Sequence, residues 1–215
     1  MRKALNVVII VAMAVLLISA CQTKPTKTEL FNGTDFTGWK LFIPGDSVDV
    51  KTVWQVKDGV VHCTGVPKGY MRTEKAYTNY NFHVEWRWVK DAGNSGVLLH
   101  IQDEDKVWPS CMEAQLKADN AGDFVIMGPG SITVDGEKKV NEDRFFLIKK
   151  KVDGIEKPLG EWNSYDITCQ DGAITVNVNG TLQNVGTESF VTSGYIGLQS
   201  EGVPIEFRNI TVEEL

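Results

Sequence analysis

Between Glu85 and Gln115 the chain carries Glu85, Arg87, His100, Glu113 and Gln115, each alternating with apolar neighbours, on either side of the turn Gly93-Asn94-Ser95-Gly96. A carboxylate or an imidazole can remove a proton, two carboxylates can divide the roles of acid and nucleophile, and a guanidinium or amide can hold the charge that develops. They do so only if they reach one surface. In an extended strand successive side chains point to opposite faces. Phe82, Val84, Trp86 and Trp88 therefore face one way, and His83, Glu85 and Arg87 the other. Likewise Val97, Leu99 and Ile101 oppose His100 and Gln102, while Met112, Ala114 and Leu116 oppose Glu113 and Gln115. The pattern predicts three strands that offer ionisable or amide groups to one surface and an apolar core to the other.

Each of these residues also has a structural reading. Glu85 and Arg87 can form a cross-strand ion pair on a solvated face. Asn94 and Ser95 sit in a glycine-flanked turn, where such side chains commonly satisfy local backbone groups, and that is the better reading for them. Trp86 and Trp88 belong to the core row, whereas Trp108, beside Pro109 in a loop-like stretch, offers a flat ring for stacking. His62, His83 and His100 with Glu113 could hold a divalent ion, although their spacing is not diagnostic. The sequence lacks HExxH, CxxC, calcium-loop, GxSxG, phosphate-loop and dinucleotide-binding motifs.

The elements that must position these groups are strands. Hairpin turns stand at Asp58-Gly59, Asp171-Gly172 and Asn179-Gly180, each flanked by short alternating runs, and no segment beyond the leader keeps a helical period over ten residues. An all-β sandwich of two antiparallel sheets is expected, with a closed barrel as the lesser alternative. The final run Ile205–Val212 alternates as a strand and is expected to bring the two chain ends together. Residues 117–160, interrupted by Met127-Gly128-Pro129-Gly130 and Lys149-Lys150-Lys151, read as loops with two short strands.

At the N-terminus Arg2-Lys3 precedes an apolar run from Leu5 to Ile18, then Ser19-Ala20-Cys21, the pattern of a signal peptide over residues 1–20. Small residues before Cys21 resemble a bacterial lipobox, which makes Cys21 the expected lipid attachment site, residues 21–28 a lipidated tether and 29–215 one domain. The protein is thus expected to be exported and anchored to a bacterial membrane. The formal charge is −6, more negative still without Arg2 and Lys3, which argues against a nucleic-acid partner. Cys63, Cys111 and Cys169 are odd in number and read as buried thiols rather than a disulfide framework.

Several phrases, in order, resemble one family, the bacterial 3-keto-disaccharide hydrolase domain. They are Glu29-Leu30-Phe31-Asn32-Gly33-Thr34-Asp35-Phe36-Thr37-Gly38-Trp39, Arg72-Thr73, Gly93-Asn94-Ser95-Gly96, Glu113-Ala114-Gln115, Pro158-Leu159-Gly160-Glu161-Trp162-Asn163, Gly194-Tyr195-Ile196-Gly197-Leu198-Gln199 and Phe207-Arg208-Asn209-Ile210. The resemblance implies a concanavalin A-like jelly-roll β-sandwich whose concave sheet meets carbohydrate, and a 3-keto-glycoside as substrate. It also implies a separate sugar dehydrogenase that supplies the ketone. The chain departs from the family pattern at His100, where arginine is common, at Ala114, where an aromatic is common, and at Glu201-Gly202, where His-Gly is usual.

For a keto-sugar the expected base or metal ligand is Glu113, with His100 as its partner and Glu85 tuning them. Arg87, Gln102, Trp108, Gln115 and Gln199 are the candidate substrate-binding residues. An ordinary glycosidase using Glu85 and Glu113 is the secondary enzymatic reading. A sugar-binding module without catalysis and a surface interaction domain without sugar chemistry are the rival classes.

Overall fold

A computed structural model describes residues 26–45, 48–102 and 105–215. The leader, Cys21 and most of the expected tether lie outside the described residues. In chain order the strands are β1 (Lys27–Glu29), β2 (Trp39–Phe42), β3 (Trp54–Lys57), β4 (Val60–Cys63), β5 (Gly69–Thr73) and β6 (Tyr80–Trp88). There follow β7 (Gly96–Ile101), β8 (Cys111–Gln115), β9 (Phe124–Met127), β10 (Gly130–Val134), β11 (Glu137–Asn141) and β12 (Phe145–Ile148). The last five are β13 (Asn163–Gln170), β14 (Ala173–Val178), β15 (Thr181–Thr187), β16 (Tyr195–Ser200) and β17 (Ile205–Glu214). A single helical turn, α1 (Val50–Val53), is capped by the Asp49 carboxylate, which accepts from the Lys51 N–H.

The strands form two sheets. One is ten-stranded, in the order β11-β10-β15-β14-β13-β6-β17-β4-β3 with β1 added along β17; the other is seven-stranded, in the order β12-β9-β8-β7-β16-β5-β2. Neighbours in sequence often sit in opposite sheets, as β6 and β7 do, which is the jelly-roll pattern. All-β organisation in two antiparallel sheets is therefore as the sequence predicts. The three hairpin turns adopt positive φ at both central residues, 52° and 74° at Asp58-Gly59, 50° and 78° at Asp171-Gly172, and 48° and 77° at Asn179-Gly180. That backbone matches the twist of the strands it joins.

The inward rows of the two sheets supply one core. Phe82, Val84, Trp86, Tyr165 and Phe207 come from the ten-stranded sheet, and Met71, Val97, Leu99, Met112, Ala114, Phe124, Ile126 and Leu198 from the seven-stranded one. Trp86 lies 4.9 Å, centroid to centroid, from Tyr165. Cys63, Cys111 and Cys169 are free, buried thiols.

Two sequence expectations change. Residues 117–160 contain four strands, β9 to β12, because Asp135-Gly136, with φ of 52° and 78°, is a further tight hairpin and the Gly128-Pro129-Gly130 interruption carries the chain from β9 in the seven-stranded sheet to β10 in the ten-stranded one. The domain also begins earlier than Glu29, since Lys27 and Thr28 pair with Glu213 and Val212. The first and last described strands thus pair, which is the closure expected of the final run.

Candidate active site

Glu113 reaches the outer face of the seven-stranded sheet because its neighbours are committed inward. Met112 and Ala114 pack into the intersheet core, while Leu98, Cys111 and Val125 form a smaller apolar cluster on the other face. Glu113 stands opposite Leu98 on β7 and Val125 on β9, among those outward residues. Beside it, Gly96 pairs with Gln115. A Cβ on Gly96 would stand 2.2 Å from Glu113 Oε1 and 2.6 Å from Gln199 Oε1. Gly96 is therefore needed for space, since its φ is not left-handed. The Glu113 carboxyl and the Gln199 amide fold together over the bare backbone.

Glu113 lines a cleft of about 530 Å³, which Gln199 adjoins. Its polar side carries Glu113, Gln115, Asn94, Lys68 and Glu201, and its apolar side Trp108, Val125, Phe145 and Leu147, with Arg144 between. Glu113 is 4% exposed and Gln199 2%. Among the described residues, Glu113 Oε1, Asn94 Oδ1 and both polar atoms of the Gln199 side chain are buried without a hydrogen-bond partner. Buried polar groups are normally paired, so a cluster of unpaired ones at one spot marks a surface shaped for a polar ligand.

Electrostatics single out the same carboxyl. Burial pushes the Glu113 pKa well above the usual carboxylate range, and the neighbouring Glu201 raises it further. Glu201 is itself pushed up by burial, against the pull of Lys68. The Lys68 ammonium lies 3.1 Å from its Oε1. A carboxylate so perturbed is a stronger base once ionised.

Trp108 enters the cleft on the β7–β8 connection, which is anchored further along. Asp105 accepts from Tyr70 Oη and Arg72 Nε at 2.9 Å each and pairs with Lys40 at 2.5 Å. Burial alone would raise the Asp105 pKa, but these bonds outweigh it and hold it at about 2. Arg72 stacks on Tyr195 with its guanidinium 3.9 Å from the ring centre. Trp108 meets Phe145 edge to face at 5.4 Å, and Lys68 and Arg144 lie 5.0 and 5.2 Å from the Trp108 ring.

Of the residues expected from sequence, Glu113, Gln115 and Trp108 line this cleft and Gln199 adjoins it. The Gln115 amide is partly committed, accepting from the Lys117 N–H at 3.1 Å. Four others are elsewhere. His100 has a φ of 57°, and the β7–β16 register shifts between Tyr195 and Gly197. That irregularity reverses the alternation, so Ile101 joins the outer cluster and His100 turns inward, its ring 5.4 Å from Tyr80 and its Nε2 3.2 Å from the Thr78 carbonyl. Burial lowers its pKa and keeps it neutral.

Gln102 donates to the carbonyls of His100 and Ser193, clamping a loop. Glu85 and Arg87 lie on β6, in the ten-stranded sheet, facing outward there. Arg208 Nε donates to Glu85 at 2.6 Å and Asn209 at 2.9 Å, while Arg87 Nε donates to Glu206 at 2.6 Å. Burial would raise the Glu85 pKa, but these donors outweigh it and keep the carboxylate ionised. Both arginines stack on Trp162. The proposed metal set is likewise dispersed. His62 pairs with Glu206 and His83 with Asp166, and among the described residues no three His, Cys, Asp or Glu side chains are grouped to hold an ion.

Sequence reasoning missed Asn94, Lys68, Arg144, Phe145, Leu147 and Glu201 as cleft residues. Asn94, expected as a turn residue, forms isolated β-bridges with Glu201 and Gly202. Glu201 was visible only as a departure from His-Gly, and Arg144 to Leu147 fell in the stretch read as loops.

Two antiparallel sheets packed as a jelly roll are the concanavalin A-like fold of glucanases and lichenases. The chain belongs to the 3-keto-alpha-glucoside-1,2-lyase-like domain family, whose sequence pattern matches residues 26–213. It is similar to a 3-keto-disaccharide hydrolase of Bacteroides thetaiotaomicron, 23% identical over an alignment that covers 86% of this chain and 77% of the relative. Its structure is similar to that of a candidate glycosyl hydrolase from Parabacteroides distasonis, with a TM-score of 0.65, 29% identity, and coverage of 88% of this chain and 94% of that one. A β-glucanase of Bacillus licheniformis shares the fold, with a TM-score of 0.52 at 13% identity over 90% of this chain and 99% of that one. The family and these relatives make the protein a carbohydrate-active enzyme of the glycoside-cleaving type.

Two outcomes follow for the cleft. Gly96→Ala is expected to leave the fold intact, as read by circular dichroism, and to lower kcat/KM by at least ~100-fold, because the new Cβ displaces the Glu113 carboxyl; near-normal turnover would show that Glu113 need not occupy this position. Glu201→Gln removes a charge that raises the Glu113 pKa, so the acid limb of the kcat/KM profile should move to lower pH. A limb that stays in place would mean that the two carboxyls are not coupled.

Proposed function

We propose that the protein cleaves the glycosidic bond of 3-keto-glycosides, 3-keto-disaccharides among them, by elimination followed by hydration. The observation that carries this reading is the Glu113 carboxyl, which is buried, raised in pKa and unpartnered at Oε1 in the wall of a cleft. Family membership and the name of the Bacteroides relative support the choice of substrate.

A ketone at C3 acidifies the hydrogen at C2. The Glu113 carboxylate takes that proton, and the electron pair left behind delocalises onto the C3 oxygen as an enediolate, with Lys68 and Arg144 as the nearby cations that stabilise it. Collapse of the enediolate forms a C1–C2 double bond and expels the C1 substituent. Glu201, whose burial favours its protonated form, offers a proton to the departing oxygen. Water then adds at C1, passing a proton to the Glu201 carboxylate, and a proton returns to C2 from Glu113, so the sum is hydrolysis with both carboxyls restored. Gln199, Gln115 and Asn94 supply the amides that read sugar hydroxyls, and Trp108 the ring for stacking. An ordinary two-carboxylate mechanism through Glu85 has no geometric support, because Glu85 lies on the other sheet. The ketone comes from a separate sugar dehydrogenase, as the family resemblance implies.

The mature chain incubated with 3-keto-trehalose is expected to release product, and with unoxidised trehalose none. Glu113→Gln should lower kcat by ~100-fold or more while the melting temperature at neutral pH holds or rises, because a buried charge is removed. An unchanged rate would remove Glu113 from the mechanism, and binding of the keto-sugar without turnover would make the protein a sugar-binding module. The leader and Cys21 support export and a lipid anchor in a bacterial membrane. Expressed in a Gram-negative host, the full chain is expected to incorporate labelled palmitate and Cys21→Ala to lose the label; label retained by the variant would exclude Cys21 as the anchor.

A further inference from the structure

Phe145, Phe146 and Leu147 are 43%, 38% and 45% exposed, three consecutive large apolar residues on the edge strand of the seven-stranded sheet. Core packing does not account for them, since Ile148 is the strand residue that enters the core. Phe145 and Leu147, two apart, share one side of the strand, and that side is the apolar wall of the cleft with Trp108 and Val125. On the outer face Leu147 pairs with Val125 and Val125 with Glu113, so the apolar wall runs up to the carboxyl, and Asn94 and Glu201 line the same cleft. The cleft therefore carries an apolar edge on β12 and β9 next to polar groups.

We propose that this wall is an aglycone subsite, and that the preferred substrates are 3-keto-glycosides of aromatic or similarly planar apolar alcohols. The inference rests on the keto-glycoside reading above and adds which leaving group that site takes. The base acts at C2, and the leaving group is on the adjacent carbon. With the sugar ring on the polar side, where unpaired amide and carboxyl atoms gather, the C1 substituent extends toward Trp108 and Phe145. Those rings meet at an interplanar angle of 89°, giving a third ring one face to stack on and one edge to meet. A second sugar would instead turn hydroxyls toward Phe145, Leu147 and Val125, which cannot bond them, and unpaired hydroxyls are costly when desolvated. Arg144, with its guanidinium 5.0 Å from the Phe145 ring and 5.2 Å from Trp108, packs against the same two rings.

The deciding experiment compares the mature enzyme on 3-keto-trehalose and on the 3-keto-glucoside of 2-phenylethanol, whose leaving group is an ordinary alcohol and so differs in shape more than in reactivity. The phenylethyl substrate is expected to show a kcat/KM roughly tenfold higher, carried by KM. In Phe145→Ala, and separately in Leu147→Ala, that ratio should collapse toward one, with circular dichroism and the melting temperature confirming folded protein. Turnover of 3-keto-trehalose with no preference for the phenylethyl substrate, or a ratio untouched by both variants, would overturn the subsite and leave the keto-glycoside reading standing. Turnover of neither substrate would overturn both. A concentration-dependent dimer that Phe145→Ala abolishes would assign the wall to a second copy of the chain and overturn the subsite as well.

Discussion

Packing of the two sheets against one another is the constraint on which the site depends. In a strand, burying one row of side chains turns the next row outward, so Met112 and Ala114 in the core dictate that Glu113 stands on the opposite face. A slip of one residue would place the carboxyl in the apolar interior. The large aromatics of the ten-stranded sheet, Trp86 and Tyr165 among them, lie on the far side of the same core and hold that register indirectly. The chemistry on the outer face is thus positioned by residues that never touch a ligand.

The carboxyl itself works against stability. Its pKa is raised in the folded protein, so the folded state favours the protonated form; that contribution is present below the unfolded pKa and lost as pH rises through the folded one. At neutral pH the protein tolerates a buried group that its surroundings disfavour in the charged form. The surrounding core offsets that cost, and the carboxyl retains the basicity that proton abstraction needs. Gly96 belongs to the same arrangement, because any side chain there would occupy the volume of the carboxyl.

The apolar and polar sides of the cleft come from different parts of the fold. Trp108 arrives on a connection pinned by Asp105 to Tyr70, Arg72 and Lys40, on strands at the far edge of the sheet. Phe145 and Leu147 arrive on the opposite edge strand, and Asn94 and Glu201 meet through a backbone bridge between segments more than a hundred residues apart. A ligand in the cleft would touch residues drawn from most of the width of the sheet.

Much of this was legible from local pattern. Turn pairs such as Asn179-Gly180 announce hairpins, the Phe82-Val84-Trp86-Trp88 row announces a core face, and the alternation around Glu113 assigns it to the other face, because turn chemistry and period two are properties of neighbouring residues. The family likeness was legible too, in phrases whose order spans residues 29–210. Sheet membership was not. Glu85 and Arg87 share the alternation of Glu113 but belong to the opposite sheet, since the strand before Gly93 and the strand after it pair with different partners far along the chain. His100 has the right parity in the sequence and the wrong one in the fold, because a single left-handed residue with a register shift reverses it. Lys68 and Arg144 carry no local signal at all, and Glu201 only a departure from the family's His-Gly. The sequence by itself determined which residues could face outward; only long-range strand pairing decided which of them face each other.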